Sequence, residues 1–207
     1  MSEYKSAIIA YSGHAFVVAE AAQLAGLSLK YYTDLKEKEH NPFHLIYKGD
    51  ESNEKAPIWQ EDCHFILGIG NNSVRKKCGE LILQKGKQLL NVIHPSTEIS
   101  AMTEQGVGNF FARNSCVNPL VKIGNFCILN TGSVVEHECV IGDAVHIAPG
   151  AVLAGNVTIG EGTFVGANAV IKQGITVGKN VTIGAGAVVI KDIADNKIIV
   201  GNPGKEI

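Results

Sequence analysis

The sequence predicts two joined folds. The first half is an α/β unit of alternating strands and helices. The second is a coil of short, flat strands that turns every six residues. Three observations carry this. Val, Ile or Leu stands at every sixth residue from Val117 to Val189, thirteen positions without exception. Strand-like and helix-like segments alternate between Ser6 and Ile93. Composition also changes near residue 95: seven of the 23 glycines precede it and sixteen follow, whereas Phe126 and Phe164 are the only aromatics after Phe111. The chain is therefore divided into residues 1–95 and 96–207.

The repeat is the strongest signal. The set is Val117, Ile123, Leu129, Val135, Ile141, Ile147, Leu153, Ile159, Val165, Ile171, Val177, Ile183 and Val189. Four positions after each comes a mostly small or β-branched residue, such as Cys127, Ser133, Cys139, Ala151, Thr163 and Ala187. Glycine often follows directly, at 124, 142, 160, 166, 178 and 184. A strand alternates with period two and a helix with period 3.6, so neither sustains period six. A narrow prism does, with one large and one small inward residue per six and a tight corner between flat strands.

In the first half, Ser6–Tyr11 reads as a buried strand, Ser12-Gly13-His14 as a turn and Ala15–Gly26 as a helix ending on glycine. Leu27–Thr33 is a second strand with Asp34 at its end, His44–Lys48 a short one, and Asp62–Gly70 a third running into Asn71-Asn72. Ser73–Gly86 is a basic helix and Gln88–Ile93 a last short strand. This order implies a parallel, Rossmann-like sheet. An acidic residue after the second strand, about twenty residues beyond a glycine turn, is the arrangement that grips a ribose. Only Gly13 occupies the glycine fingerprint, so a dinucleotide cofactor is not expected and a sugar nucleotide at the same strand ends fits better.

Composition excludes several classes. Of 207 residues, 45% are hydrophobic and 18% charged, which is enough apolar surface for a core and incompatible with a disordered chain. A net charge of −2 gives no nucleic-acid footprint. No apolar run reaches the roughly 18 residues of a membrane span. Met1–Ser6 carries an acidic residue with no apolar block behind it, unlike a secretory leader. Cys63, Cys78, Cys116, Cys127 and Cys139 form no CxxC pair, which argues against a disulfide framework or zinc ribbon and for a reducing cytoplasm.

The chemistry concentrates in Asn130–Gly142. Val135 and Cys139 point inward in the six-residue frame, so His137 points out, flanked by Glu136 and Glu138. An imidazole beside a carboxylate is a candidate general base, and spacing leaves the choice of carboxylate open. Eighteen residues on lies Gly155, where a missing side chain admits a ligand and frees a backbone N–H for an oxyanion. Nine residues on lies His146, outward on another side of the prism. The two histidines can meet only across a groove between neighbouring chains, which predicts an intersubunit active site. Cys127 and Cys139 are inward packing residues, and the histidines and glutamates lack compact metal-ligand spacing, so no metal is expected.

The repeat resembles the hexapeptide-repeat acyltransferases. That likeness implies a left-handed parallel β-helix with an 18-residue turn, and a homotrimer. The match narrows with Ser12-Gly13-His14, Ile69-Gly70-Asn71-Asn72, Asn91-Val92-Ile93-His94, Glu136-His137-Glu138-Cys139-Val140-Ile141-Gly142 and Ala154-Gly155-Asn156-Val157. Together they resemble the sugar-nucleotide acetyltransferases, with the Glu136–Gly142 run and the Ile69–Asn72 run with Arg75-Lys76-Lys77 nearest to the UDP-4-amino-sugar N-acetyltransferases of bacillosamine synthesis. The resemblance implies direct acetyl transfer from acetyl-CoA, as co-substrate, to a nucleotide-linked amino sugar. It makes His137 the base, Glu138 the residue raising its basicity, and Asn130 a neighbour of the acceptor amine. His146, Gly155, Ala167 and Ala185 would line the acetyl-CoA groove. Ser12, Gly13, His14, Asp34, Gly70 and Asn71 would hold the nucleotide. The family usually has glycine at the positions of Ala10 and Ala15 and a second acid where Leu35 stands, which leaves the nucleotide and sugar open. Alternatives are a dTDP- or GDP-linked 4-amino sugar, O-acetylation of sialic acid, and a non-enzymatic sugar-nucleotide-binding scaffold.

Overall fold

The structure, a computed structural model, describes residues 4–207. The very start of the stretch read as lacking a leader, Met1–Glu3, lies outside them. Strands β1 (Lys5–Ile9), β2 (Ser28–Thr33), β3 (Ile46–Tyr47) and β4 (His64–Leu67) form a parallel sheet in the order β3-β2-β1-β4. Helices α1 (His14–Leu24) and α2 (Asn72–Gln84) supply the crossovers. Both helices stop on a left-handed glycine, Gly26 and Gly86. After α1 the N–H of Leu27 returns to the carbonyl of Ala22 and that of Gly26 to Gln23, so the last carbonyls are satisfied as the chain turns back.

Period-two alternation assigns the sheet its two sides. Ile8, Tyr32 and Ile66 face Ala15, Val18, Ala19 and Ala22 of α1. Ala7, Ile9, Phe65 and Leu67 face Ile82 of α2 and Ile58 and Trp59 of the turn at Pro57–Gln60. Each fully buried aliphatic side chain contributes about 1.5–3 kcal/mol.

The second half is the expected coil. Two-residue strands pair in parallel with those 18 residues away and stack into three faces. Face 1 runs from Val92–Ile93 through Phe110–Phe111, Ile128–Leu129, His146–Ile147 and Phe164–Val165 to Thr182–Ile183. Face 2 includes Cys116–Val117, Val134–Val135, Val152–Leu153, Val170–Ile171 and Val188–Val189. Face 3 includes Lys122–Ile123, Val140–Ile141, Thr158–Ile159 and Thr176–Val177. All thirteen periodic residues are buried, and the small set between them (Cys127, Cys139, Ala151, Ala169, Ala187) completes the same core. Each edge turns through a left-handed residue every 18 positions, for example Gly132, Gly150 and Asn168 on one edge and Leu120, Glu138, Asn156 and Gly174 on another. Glycine and asparagine accept that conformation most readily; a glutamate there costs about 1 kcal/mol or more.

One segment differs from expectation. Gln88–Ile93 is not a single strand of the first sheet. Leu89 bridges Phe65 of that sheet, whereas Val92 and Ile93 pair with Phe110 and Phe111 as the first rung of the coil. Asn91 forces the switch: its side chain donates to the Gly106 carbonyl and accepts from the N–H of Asn109, locking it into the coil's first turn. At the other end, Ile198–Val200 pairs antiparallel with Lys205–Glu206 and Ile199 closes the core. The two halves share a core, because Val92, Phe110 and Ile128, outward on face 1, pack under α1. Among the described residues no helix is long and apolar enough to cross a membrane.

Candidate active site

The site residues fall in two places on one chain. The first is the edge between faces 2 and 3. Val135 and Cys139 are buried, and His137 stands out half exposed between them. Its Nδ1 lies 3.0 Å from Oε2 of Glu138. Geometry thus selects Glu138 over Glu136 as the carboxylate partner. Nδ1–H donates to Glu138, and this leaves Nε2 as the accepting nitrogen. Glu138 takes the left-handed corner (φ 60°), which turns its carboxylate back toward the preceding side chain. Gly155 lies one turn above. A β-carbon built there would stand 2.5 Å from Cε1 and 2.6 Å from Nε2 of His137, so only glycine lets the imidazole lie across this rung.

The second place is the seam where the first half docks on face 1. The ring of His146 packs against His14 (centroids 6.2 Å) and edge-on to Phe164 (5.0 Å), and its Nε2 is 3.1 Å from Nδ2 of Asn130. His146 does point out of the prism. It does not line an open groove, however, being only 8% exposed beneath the first half. Desolvation, with Arg75 and His14 nearby, lowers its pKa to about 3. Desolvation and Arg75 lower that of His14 to about 4. Both rings are neutral at pH 7. Gly70 approaches this seam, 3.7 Å separating a β-carbon built on it from that of His14.

Ser12 and Gly13 are exposed at the turn before α1. No side chain caps that helix; Gly13 is the N-cap with φ 43°, a conformation that favours glycine. Asp34 is less free than a ribose-gripping carboxylate is expected to be. Oδ2 accepts from the N–H of Tyr11, Oδ1 accepts from Leu35 and pairs with Lys38 at 3.0 Å, and the side chain is 12% exposed. It ties the end of β2 to the turn after β1. Asn71 caps α2, its Oδ1 accepting from Val74. With Gly70, Asn72, Ser73 and Lys76 it lines a cleft of about 610 Å³, whose far wall is Ala144, Gly162, Phe164 and Thr182 of the coil. Asn130, Ala167 and Ala185 lie on the edge between faces 1 and 2. Cys127 and Cys139 donate to the carbonyls of Gly142 and Ala154, and burial raises both thiols, Cys127 to about 12. They are packing residues. No cluster of metal-ligating side chains occurs among the described residues.

Arg75 belongs to the run that carries the family likeness, but the sequence assigns it no place in the site. It is 1% exposed, yet an arginine in a basic helix reads as a solvated charge. The available signal was its place three residues after Asn72, at the head of the Arg75-Lys76-Lys77 run.

Known proteins share this architecture. Residues 5–82 match the PglD N-terminal domain, residues 120–155 the bacterial transferase hexapeptide (six repeats) and residues 156–191 the hexapeptide repeat of succinyl-transferase. Among solved structures, the acetyltransferase domain of PglB from Neisseria gonorrhoeae FA1090, in complex with acetyl coenzyme A, is 31% identical with a TM-score of 0.92, covering 100% of both chains. PerB from Caulobacter crescentus, in complex with CoA and GDP-perosamine, is 32% identical with a TM-score of 0.92, covering 100% of this chain and 98% of that one. A GDP-perosamine N-acetyltransferase of Escherichia coli O157:H7 is 34% identical over 95 residues, which span 46% of this chain and 42% of that protein.

Proposed function

This chain belongs to the sugar-nucleotide acetyltransferases built on a left-handed hexapeptide-repeat β-helix, and on that premise we propose that it is an acetyl-CoA-dependent N-acetyltransferase acting on the 4-amino group of a nucleotide-linked amino-deoxysugar, UDP-linked by its likeness to the bacillosamine type. The observation that carries the mechanism is the His137–Glu138 pair laid across Gly155. The free amine attacks the thioester carbonyl, forming the C–N bond, while Nε2 of His137 takes the amine proton. The C–S bond then breaks and the imidazolium returns that proton from Nε2 to the departing thiolate, so CoA leaves as its thiol and the base is regenerated. Glu138 holds Nδ1 and stabilises the imidazolium. The N–H of Gly155 is the oxyanion donor. The coil has no use for that N–H, since one turn below His137 the equivalent residue is Pro119, which has none. No acyl-enzyme is involved, in keeping with the buried, raised Cys139 thiol.

His137 stands on the edge opposite face 1, which carries the first half. One chain therefore cannot bring its base to its own seam. Face 2 supplies the remedy. Its outward residues Cys116, Val134, Val152, Val170 and Val188 form an apolar stripe, with Val170 38% exposed. Three copies with face 2 turned to a common axis cover the stripe. Each then sets the His137 edge of one protomer against the Asn130–Ala167–Ala185 edge of the next, beside His146 and the nucleotide turn. Acetyl-CoA lies in that groove along the small residues Ala167 and Ala185, and the five unpaired thiols suit a cytoplasmic homotrimer.

The test is thiol release from acetyl-CoA with UDP-, dTDP- and GDP-linked 4-amino-deoxysugars and free sialic acid, repeated with His137→Ala. Turnover of a nucleotide-linked amine is expected, with kcat falling about 10²–10⁴-fold in the variant. Turnover with sialic acid alone overturns N-acetylation, and an unchanged kcat removes His137 from the mechanism.

A further inference from the structure

The Arg75 guanidinium lies between the Ile69–Asn72 loop and two successive turns of the coil. Nε donates to the carbonyl of Phe126 at 2.6 Å. Nη1 donates to the carbonyls of Ile69 (3.2 Å) and Gly70 (2.9 Å). Nη2 donates to Oδ1 of Asn72 (3.0 Å) and to the carbonyls of Ala144 (3.0 Å) and Val145 (3.4 Å). Phe126 and Ala144 are successive left-handed residues of the edge between faces 3 and 1. No carboxylate is among these partners. A buried, unpaired cation is costly unless its hydrogen bonds are all made. Only a planar fork of five N–H donors can serve acceptors that diverge in this way; a lysine has three donors on one atom.

The held loop is one wall of the 610 Å³ cleft, and Ala144 belongs to the other. Arg75 therefore spans the two walls. Asn72 repeats the connection in parallel, its Nδ2 donating to the carbonyls of Gly162 (3.0 Å) and Thr163 (3.2 Å).

We propose that Arg75 is a positioning residue for the acceptor: a strut that fixes the Ile69–Asn72 loop to the coil, and so governs binding of the nucleotide-linked sugar rather than acetyl transfer itself. This rests on the reading of that loop as part of the acceptor site. Burial lowers the Arg75 pKa only to about 10, so the strut is charged at neutral pH.

The experiment uses the full chain with Arg75→Lys and Arg75→Met, and reads KM for the acceptor, KM for acetyl-CoA, kcat, and amide hydrogen exchange of the ligand-free protein. In both variants the acceptor KM rises at least tenfold, while kcat stays within threefold and the acetyl-CoA KM within twofold. Exchange over residues 68–75 accelerates at least tenfold, and exchange over 146–189 is unchanged. Lysine does not rescue, because charge without the fork leaves the carbonyls unmet. An acceptor KM within twofold of the unsubstituted enzyme, full rescue by lysine, both KM values rising together, or loss of the coil's circular dichroism in both variants overturns the proposal. If the unsubstituted protein turns over no nucleotide-linked amine, the functional reading fails instead, and hydrogen exchange alone decides the strut: unchanged exchange over 68–75 refutes it.

Discussion

Gly155→Ala isolates the geometry of the base from everything else on the edge. The added β-carbon would sit 2.5 Å from Cε1 of His137, against about 3.5–4.0 Å for an ordinary carbon contact. The ring must retreat by about 1 Å, which also takes Nδ1 off Glu138. A displacement of that size at a reacting group costs on the order of 10²-fold in rate, or about 2.7 kcal/mol of barrier. The backbone accepts the methyl. Gly155 does not have a left-handed φ, and the equivalent residues on neighbouring turns are Pro119, His137 and Gln173, all with β-carbons. Stability is therefore unchanged or slightly raised, by about 0.4–1 kcal/mol. The assay is thiol release at saturating acetyl-CoA and acceptor, with a thermal melt of the same protein and Gln173→Ala as a control on the same edge. A kcat within threefold of the parent, with the fold intact, refutes the placement of the working imidazole over Gly155.

Two further outcomes are expected besides those of the His137 and Arg75 variants. His14 and His146 have folded pKa values of about 4 and about 3, below the unfolded value of about 6.5. The unfolded chain thus binds more protons in that window, so their contribution is fully present above pH 6.5 and is lost as pH falls toward 4 and then 3, on the order of 2 kcal/mol each by pH 4.5. Melting temperature falls from pH 6.5 to 4.5, and His146→Gln reduces the slope; equal slopes in parent and variant contradict it. Val170→Lys places a charge in the apolar stripe of face 2 and is expected to shift the mass by light scattering from trimer toward monomer, with activity lost in parallel. A monomeric parent, or a variant of unchanged mass, rejects face 2 as the interface.

Much of this protein is legible in one dimension. A coil rung has its neighbours 18 residues away on either side, so the identity of every sixth residue reports burial directly. The strict Val, Ile and Leu series from Val117 to Val189 is that report. The stacking of Gly155 on His137 follows from the same count. The alternating strands and helices of the first half, with glycines just past the ends of both helices, were readable for local reasons: propensity, period and capping.

What the period does not encode is which face meets the first half. The outward residues Val92, Phe110 and Ile128 are apolar because α1 covers them, and His146 is buried for the same reason, although its place in the repeat marks it only as outward. The split of Gln88–Ile93 likewise depends on Asn91 finding partners 15 and 18 residues on. Asp34 has the sequence position of a ribose ligand, but the fold brings the N–H of Tyr11 to it from 23 residues away. Arg75 is the extreme case. In sequence it is one more cation on a basic helix, and its acceptors at Phe126 and Ala144 lie 51 and 69 residues further on. Local conformation and a fixed repeat are enough to set the elements and the inward or outward sense of each coil residue, His137 among the outward ones. Which polar groups are buried, and by what they are satisfied, depends instead on whatever segment the fold brings alongside, because desolvation and hydrogen bonding act between residues distant in the chain.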